Sequence, residues 1–216
     1  MRYQHVLFSI LLLLPLQAVL AKEEIKKYPS GAVHFIYNYD GNRRHGVSKE
    51  FHENNNLKTE FFYEKGKLTA EKRYRQDGQI EYEFTYKRNK KHEVVREFHS
   101  SGKLFRERHL VGGIQEGMEK EYAPDGKLKA ERTYIGGKKN GSAKGYFRNG
   151  RVQGDWTFKN GVPIAATIFY STGEKYLVHE FSDGKIDGVS KEYNKKGKLQ
   201  AKRYYKNDKL VKRVRK

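Results

Sequence analysis

The amino-acid sequence repeats itself at a constant interval, and this repetition constrains the fold more than any other feature. Residues 120–134 read KEYAPDGKLKAERTY and residues 191–205 read KEYNKKGKLQAKRYY, with nine of fifteen positions identical. A third copy, KEFHENNNLKTEFFY, occupies residues 49–63, again 71 residues earlier. A fixed interval of this kind is typical of repeat architectures, in which each unit packs against its neighbours in the chain.

The interval of 71 residues corresponds to three repeats of about 24 residues, because glycines recur at that spacing in two interleaved sets. About seven full units extend over residues 42–207, with a leading half-unit at 31–41 and a basic C-terminal tail at 208–216. The sequence therefore predicts a single repeat domain over residues 22–216. The first set contains Gly126, Gly150, Gly173 and Gly197, and the second contains Gly113, Gly137, Gly161 and Gly184.

The residue pattern of each half-unit predicts one strand followed by one tight turn. Asp-Gly and Asn-Gly pairs recur at the turns, and both are strong hairpin signals. If Tyr122 lies opposite Leu128, the loop is Pro124-Asp125-Gly126, a type I turn in which Gly126 has a positive φ. The predicted fold class is all-β: an elongated, single-layer, twisted antiparallel meander of about fifteen strands, built from hairpin repeats.

The same register sorts the side chains onto two faces, because successive residues of a strand point to opposite sides. One face is expected to carry aromatic residues with a basic row, and the other face an acidic row. The pairs Glu50–Lys58 and Glu121–Lys129 are predicted as cross-strand ion pairs. The basic row consists of Lys49, Lys72, Arg96, Lys120, Lys144 and Lys191. The acidic row consists of Glu60, Glu83, Glu107, Glu131 and Asp155.

The tandem pattern Lys-Glu-Tyr, then Gly-Lys-Leu, then Tyr-x-x-Gly resembles the variant MORN repeat over about residues 28–210. The spacing is specific because it recurs in seven units. Some proteins built from this variant are described as YwqK-type antitoxins. The resemblance implies an elongated antiparallel sheet without known catalytic residues, and antitoxin-like neutralisation of a partner toxin as one alternative function. Ordinary MORN repeats favour Tyr-x-Gly-x-Trp, whereas this chain contains one tryptophan.

Residues 1–21 have the layout of a secretory signal peptide. Arg2 precedes an apolar run, Val6–Leu20, and Ala21 is a small residue before the charged segment KEEIKK. The run is shorter than the roughly 20 residues needed to cross a bilayer, so cleavage after Ala21 is favoured over a retained anchor. The chain contains no cysteine for disulfides or a lipoprotein anchor. We expect a periplasmic or secreted protein that begins at Lys22 and has no transmembrane segment after cleavage.

The formal net charge of +19 bears on the possible partners. A strongly basic exported chain can meet anionic envelope lipids, polysaccharides or acidic proteins. Lys and Arg are spread along the chain rather than clustered, so solubility alone explains the charge equally well. Nucleic acid is not expected as a partner.

No local motif indicates catalysis. The sequence lacks HExxH, GxSxG, a Walker phosphate loop and GxGxxG. The equivalent histidines His45 and His92 lie two repeats apart, roughly 19 Å at ordinary strand spacing, which is too far for one metal ion. We expect a protein that is not an enzyme and uses no cofactor or metal.

The repeat pattern breaks in one unit, over residues 161–183, where the stretch VPIAATIFY has no charge. Ile168 is expected to replace the basic row there, and Val178 the acidic row. Such a break indicates either a locally covered core or an exposed contact patch, and Trp and Tyr are frequent interface anchors. We hypothesise that a partner-contact patch is formed by Trp156, Ile168, Tyr170 and Val178.

These observations predict a non-catalytic exported repeat protein that acts as a binding scaffold for a protein partner. Electrostatic binding to anionic lipid or polysaccharide surfaces is the alternative, since spread positive charge supports adhesion without a specific site. Salt separates the two, because adhesion by spread charge weakens in moderate salt and a packed contact persists.

Overall fold

The computed structural model describes residues 21–86 and 92–216, and all of the regular structure in these ranges is β. Twenty strands form one open antiparallel sheet, and each strand pairs with strands one or two places away from it in the chain. The predicted all-β, single-layer meander is confirmed. The predicted signal peptide lies outside the described residues except for Ala21, the first residue of β1.

The strands alternate with tight turns along the whole described chain. The first ten are β1 (Ala21–Lys27), β2 (Val33–Asp40), β3 (Arg43–Arg44), β4 (Gly46–Phe51), β5 (Leu57–Glu64), β6 (Lys67–Tyr74), β7 (Ile80–Tyr86), β8 (His92–Phe98), β9 (Leu104–Val111) and β10 (Ile114–Gln115). The others are β11 (Gly117–Tyr122), β12 (Leu128–Ile135), β13 (Lys138–Tyr146), β14 (Val152–Lys159), β15 (Val162–Phe169), β16 (Lys175–Ser182), β17 (Lys185–Ile186), β18 (Gly188–Tyr193), β19 (Leu199–Lys206) and β20 (Lys209–Arg215).

The number of strands exceeds the predicted fifteen for two reasons. β1 pairs with β2 in front of the leading half-unit, and the segment expected to be a basic tail forms β20 against β19. Three further strands are each divided in two, as β3 and β4, β10 and β11, and β17 and β18. The additional strands therefore extend the predicted meander at both ends without changing its topology.

The turn between β11 and β12 has the predicted three-residue loop. The Ala123 N–H donates to the Lys127 carbonyl at 2.8 Å, and the Gly126 N–H donates to the Ala123 carbonyl at 2.8 Å. Gly126 has a φ of +89°, a region that glycine adopts without steric cost. Both the loop and the positive φ are as predicted.

A β-bulge beside this turn changes the register beyond it. Tyr122 pairs with Leu128 as predicted, but the next pair joins Glu121 to Ala130, so Lys129 is an extra residue. A bulge places two residues of one strand opposite one residue of the other. The alternation of faces is therefore shifted by one residue on one side of the bulge.

Because of this shift, the basic and acidic rows lie on one face of the sheet, and the prediction of separate faces is wrong. Lys120 pairs directly with Glu131, which in turn pairs with Lys144. Residues directly opposite each other in antiparallel strands point to the same side. The shift recurs in seven hairpins, immediately after Glu50, Arg73, Glu97, Glu121, Gly145, Ile168 and Glu192.

The interior of the protein is the other face, which we call the packed face and define by Ala130, Ala143, Ala166, Leu177 and Ala201. Thirteen non-glycine residues are buried in the described ranges, and all but Val94 lie on this face. Most of them are small. Extensive contacts in the described ranges join only strands that are neighbours in the sheet, so long side chains of the packed face itself cover the small ones.

The 71-residue interval has a structural cause, which is the division of a strand at a glycine. Gly46, Gly117 and Gly188 begin the second parts of the divided strands, with φ of +75°, +85° and +91°. Two residues after the first and last of these, Ser48 and Ser190 are 0% and 1% exposed on the packed face. Every third repeat therefore carries the same break and the same buried position, which explains why similarity is strongest at 71 residues.

Candidate binding surfaces

The face opposite the packed face carries a row of alternating charges, which we call the charge ladder. Its members pair in order across ten strands, and each inner member lies between two residues of opposite charge. Five of the six cations in the predicted basic row belong to it. The charge ladder consists of Lys49, Glu60, Lys72, Glu83, Arg96, Glu107, Lys120, Glu131, Lys144 and Asp155.

Neighbours in the charge ladder form ion pairs. Arg96 Nε lies 2.7 Å from Glu107 Oε2, and Arg96 Nη1 lies 3.6 Å from Glu83 Oε2. Lys49 Nζ lies 3.9 Å from Glu60 Oε1, and the lysine side chain is 43% exposed. Exposed pairs of this kind contribute at most about 1 kcal/mol each. The alternation nevertheless neutralises each cation locally, so the charge ladder is not a strip of free positive charge.

Two tyrosines hold acids of the charge ladder in position. Tyr146 Oη donates to Glu131 Oε1 at 2.6 Å, and Tyr74 Oη donates to Glu60 Oε2 at 2.7 Å. Burial, together with the neighbouring carboxylate, raises the pKa of both hydroxyls, so both are neutral donors at physiological pH. Each tyrosine lies four residues before its turn glycine, the position at which the repeat places an aromatic residue.

The alternation of charge stops after Asp155. In register, the row continues through Thr167 and Val178 to Lys191, which lies directly opposite Lys202. Like charges in directly opposed positions destabilise a sheet. Lys191 is thus the one member of the predicted basic row whose cross-strand neighbours are a valine and a second lysine.

The structure brings Trp156 and Ile168 together on the packed face. The indole of Trp156 lies against Gly154 and fills the space that a Cβ of this glycine would need. Gly154 pairs with Ile168 in the next strand, and the side chains of Trp156 and Ile168 are both partly exposed. The prediction that Ile168 replaces a cation of the basic row is wrong, because the bulge puts Thr167 in that position.

The other two residues of the predicted patch lie elsewhere. Val178 pairs with Lys191 and therefore lies on the face of the charge ladder. Tyr170 follows β15 at the edge of the sheet, where its Oη donates to the Tyr193 carbonyl at 2.9 Å and its ring centroid lies 4.9 Å from that of Tyr176. The four residues do not form one surface, and only Trp156 and Ile168 are candidates for a common apolar contact.

One equivalent position of the packed face carries an acid in each 71-residue unit, namely Glu50, Glu121 and Glu192. Lys58 Nζ lies 2.7 Å from Glu50, and Lys129 Nζ lies 2.7 Å from Glu121. These are the two predicted cross-strand ion pairs, and both are confirmed. They form because the bulge places the lysine and the residue after it opposite the same acid.

The third of these acids, Glu192, is held by two arginines. Arg203 Nε donates to Glu192 Oε2 at 2.7 Å, and Arg213 donates to both carboxylate oxygens at 2.7 and 2.8 Å. The Glu192 side chain is 6% exposed. The hydrogen bonds from Arg213 and Arg203 outweigh burial and lower the pKa of Glu192 to about 2. We call Glu192, Arg203 and Arg213 the clamp, and it joins β18, β19 and β20. No short sequence motif indicates it.

A buried histidine lies beside this clamp. His179 is 7% exposed, and its Nδ1 lies 2.8 Å from Ser190 Oγ. Its ring packs edge-on against Tyr205 with centroids 5.7 Å apart. Burial, with a smaller contribution from Arg203, lowers the pKa of His179, so the neutral ring is favoured. The sequence does give a signal for the partner of this histidine, because the 71-residue repeat aligns Ser190 with the buried Ser48.

The described residues provide no constellation for metal chemistry or membrane insertion. Within residues 21–86 and 92–216, no group of three His, Cys, Asp or Glu side chains is placed to hold a metal ion. The same ranges contain no helix of the length and apolar character that a membrane span requires.

Five segments of the chain match the family model of the MORN repeat variant: residues 44–65, 70–88, 115–135, 139–160 and 186–207. The first, third and fifth matches begin 71 residues apart and contain the strand-dividing glycines Gly46, Gly117 and Gly188. The chain is therefore a β-sheet repeat protein in which five repeats match the MORN repeat variant. A comparison with curated proteins finds no match.

Among solved structures, the chain has a weak likeness to TarM. One crystal structure of TarM shares 10% sequence identity with a TM-score of 0.29 over 53% of this chain and 20% of that chain. A crystal structure of a mutant S. aureus TarM in complex with fondaparinux, alpha-GlcNAc-glycerol and UDP shares 8% identity with a TM-score of 0.26 over 50% of this chain and 19% of that chain. This chain spans about a fifth of those proteins, and a likeness of this degree carries no argument about function.

Proposed function

We propose that this protein is a non-catalytic, exported repeat scaffold that binds a protein partner through its packed face near Trp156. The observation that carries the proposal is the partly exposed pair of Trp156 and Ile168, which lies where the alternation of charge ends on the other face. A large aromatic residue beside small neighbours provides a rigid anchor with little polar surface to desolvate. Export rests on the signal-peptide layout of residues 1–21.

The test of this proposal is capture of envelope proteins by the mature chain, with Trp156→Ala compared against Tyr82→Ala. Tyr82 is a partly exposed aromatic residue on the same face, between Arg73 and Glu97. We expect Trp156→Ala to reduce capture of one defined protein at least about tenfold, as for an interface hot spot, and Tyr82→Ala to leave it unchanged.

Two outcomes would contradict the proposal. Equal loss of capture in both variants would mean that binding is not localised to Trp156. If Trp156→Ala lowers the free energy of unfolding by about 3 kcal/mol or more, as for a core aromatic, while the folded variant captures the partner normally, Trp156 belongs to the core and not to a contact surface.

A second candidate function is adhesion to anionic lipid or polysaccharide, and one observation favours it. Lys191 and Lys202 oppose each other without a ladder acid beside them, and β20 exposes three further cations in addition to Arg213, which binds Glu192. Its test is binding to anionic vesicles by a Lys191→Ser/Lys202→Ser double variant and by a Lys49→Ser/Lys72→Ser control of equal charge. Adhesion at this end predicts a loss in the first variant alone, and loss of wild-type binding in moderate salt.

Antitoxin-like neutralisation is a narrower form of the first proposal, in which the captured partner is a toxin. The MORN-variant repeats support it only as a family association. Identification of the captured protein and an assay of its toxicity with and without this chain would decide between a toxin and another envelope protein.

A further inference from the structure

At one edge of the sheet, the residue that follows every second strand can reach the next repeat. Tyr28 Oη donates to the Phe51 carbonyl at 2.9 Å. At the equivalent position two repeats later, Arg75 Nη2 donates to the Phe98 carbonyl at 3.0 Å. In both cases a long polar side chain bridges the gap between two hairpin turns.

The same bridge recurs at two further equivalent positions. His99 Nε2 lies 2.9 Å from the Tyr122 carbonyl, and Tyr170 Oη donates to the Tyr193 carbonyl at 2.9 Å. The ring of Tyr170 also packs against a second ring, that of Tyr176, with centroids 4.9 Å apart. In four repeats, the slot between neighbouring turns is thus filled by an aromatic or guanidinium group that binds a strand-end carbonyl.

Ala123 occupies this position in the repeat that follows His99, and its methyl group cannot bridge the gap. A cavity of about 620 Å³ lies there, and its lining includes Ala123, Leu128, Tyr146 and Phe147. This volume falls within the range of small-ligand sites. The lining is mainly apolar, and the carbonyl of Tyr146 is the repeat equivalent of the acceptors at Phe51, Phe98, Tyr122 and Tyr193.

The rim of the cavity is polar and mainly basic. Arg148 Nε lies 3.1 Å from Asp125 Oδ2, and Lys127 Nζ donates to the Arg148 carbonyl at 3.1 Å. Lys129 also lines the cavity. Arg148 is paired with Asp125 and Lys129 with Glu121, so Lys127 leaves the rim with a net positive charge, which disfavours a guanidinium or imidazolium guest by repulsion between like charges. Of the groups that fill the equivalent slots, the phenol is the one that never carries a positive charge, so this rim does not oppose it.

We propose that the cavity at Ala123 binds a phenol ring, supplied as the tyrosyl side chain of a protein partner. The ring packs between Leu128 and Phe147, and its hydroxyl donates to the Tyr146 carbonyl, as Tyr28 and Tyr170 do to their acceptors. The identity of the guest as part of a protein rests on the proposed scaffold function, whereas the preference of the cavity for phenol does not.

The test uses N-acetyl-L-tyrosine amide as the probe, with N-acetyl-L-phenylalanine amide for comparison, followed by amide chemical shifts of the mature chain. We expect the tyrosine probe to shift Phe147 and Arg148 saturably. The phenylalanine probe should bind about three- to tenfold more weakly, because it lacks the hydroxyl and its hydrogen bond. Ala123→Tyr should abolish the shifts by filling the slot internally, as the native tyrosines do in the equivalent repeats.

Ala165→Tyr, at an exposed position on β15, is the matched control and should leave probe binding unchanged. The proposal is overturned if the tyrosine probe gives no saturable shift, if the two probes bind equally, or if Ala123→Tyr binds the probe as the wild type does. Partner capture that depends on Trp156 while the tyrosine probe does not bind would reject the phenol site alone. Probe binding without capture of any protein would reject the scaffold function and retain the phenol site.

Discussion

Two parts of the sheet share the same strand pairing but differ in the charges that they place in one row. Between Lys49 and Asp155 the row alternates in sign across ten strands. From Thr167 to Val214 the same row contains two lysines and no acid. The bulges and turns are the same in both parts. The alternation of charge is therefore not needed to form the sheet. In the C-terminal part, the stability of strand pairing is not the main constraint on which residues occupy this row.

The packed face differs between the two parts as well. In the earlier units, the acids Glu50 and Glu121 bind lysines of the same hairpin, and Glu97 binds both Arg106 and Arg108. In the last unit, Glu192 binds two arginines, one of which comes from the edge strand β20. An acid held by two arginines therefore occurs in both parts, and the arrangement at Glu192 differs from that at Glu97 in its deeper burial, 6% against 22% exposed, and in its arginine from the edge strand.

Removal of the charge at Glu192 should have the largest effect. We expect Glu192→Gln to lower the free energy of unfolding by about 2–3 kcal/mol, because the amide removes the negative charge and replaces one acceptor oxygen with an NH2 donor that faces a guanidinium group, at a site that is 6% exposed. Urea unfolding measures this change. Glu131→Gln in the charge ladder is the control, with an expected loss below about 1 kcal/mol. Equal losses in the two variants would show that the clamp is no stronger than the ladder.

A methyl group at Gly154 tests the packing of Trp156 where the two parts meet. The new Cβ would clash with the indole ring, so Trp156 must move. We expect Gly154→Ala to cost about 1–2 kcal/mol by overpacking and to shift tryptophan fluorescence to longer wavelength. In Gly145→Ala, the added Cβ would lie 3.9 Å from the same ring, an ordinary contact, so this control should leave the spectrum unchanged. An unchanged spectrum in both variants would mean that the indole is not seated on Gly154.

Acidification should weaken the C-terminal part before the rest. Burial lowers the pKa of His179 below its ordinary value of 6.5, so the unfolded chain binds the proton more readily, and stability falls as pH drops through that value. Glu192 also has a lowered pKa, and its contribution is lost only as pH falls from about 4.5 towards 2. Urea unfolding of wild type and His179→Asn between pH 7.5 and 5.5 separates the two groups. If both proteins lose the same stability, His179 is not the titrating group.

The repeat made the sheet predictable, because turn glycines and alternating strands indicate a meander without any knowledge of long-range contacts. The three-residue loop at Gly126 followed from the opposition of Tyr122 and Leu128. The assignment of residues to the two faces could not be predicted in the same way. Each bulge adds one residue, such as Lys129, that no local sequence pattern identifies as additional. An error of one residue then moves a whole row to the other side of the sheet.

The candidate sites were less predictable than the fold for a related reason. Trp156 stood out as the one tryptophan, but its seat on Gly154 depends on a side-chain rotamer that no sequence period specifies. Ala123 by itself gives no indication of a binding site. It becomes informative only when compared with Tyr28, His99 and Tyr170, whose side chains fill the equivalent slots in the structure.

Reversal of one charge in each part of the row gives the smallest and most direct test of the comparison. Lys202→Glu places an acid opposite Lys191, whereas Lys144→Glu places an acid between Glu131 and Asp155. Each change alters the net charge equally, so effects of total charge cancel. We expect a gain of about 0.2–1 kcal/mol in unfolding free energy for Lys202→Glu and a comparable loss for Lys144→Glu. Both effects should shrink in about 1 M salt, where charges are screened within roughly 3 Å. Changes of the same sign in the two variants would show that cross-strand charge pairing does not distinguish the two parts of the sheet.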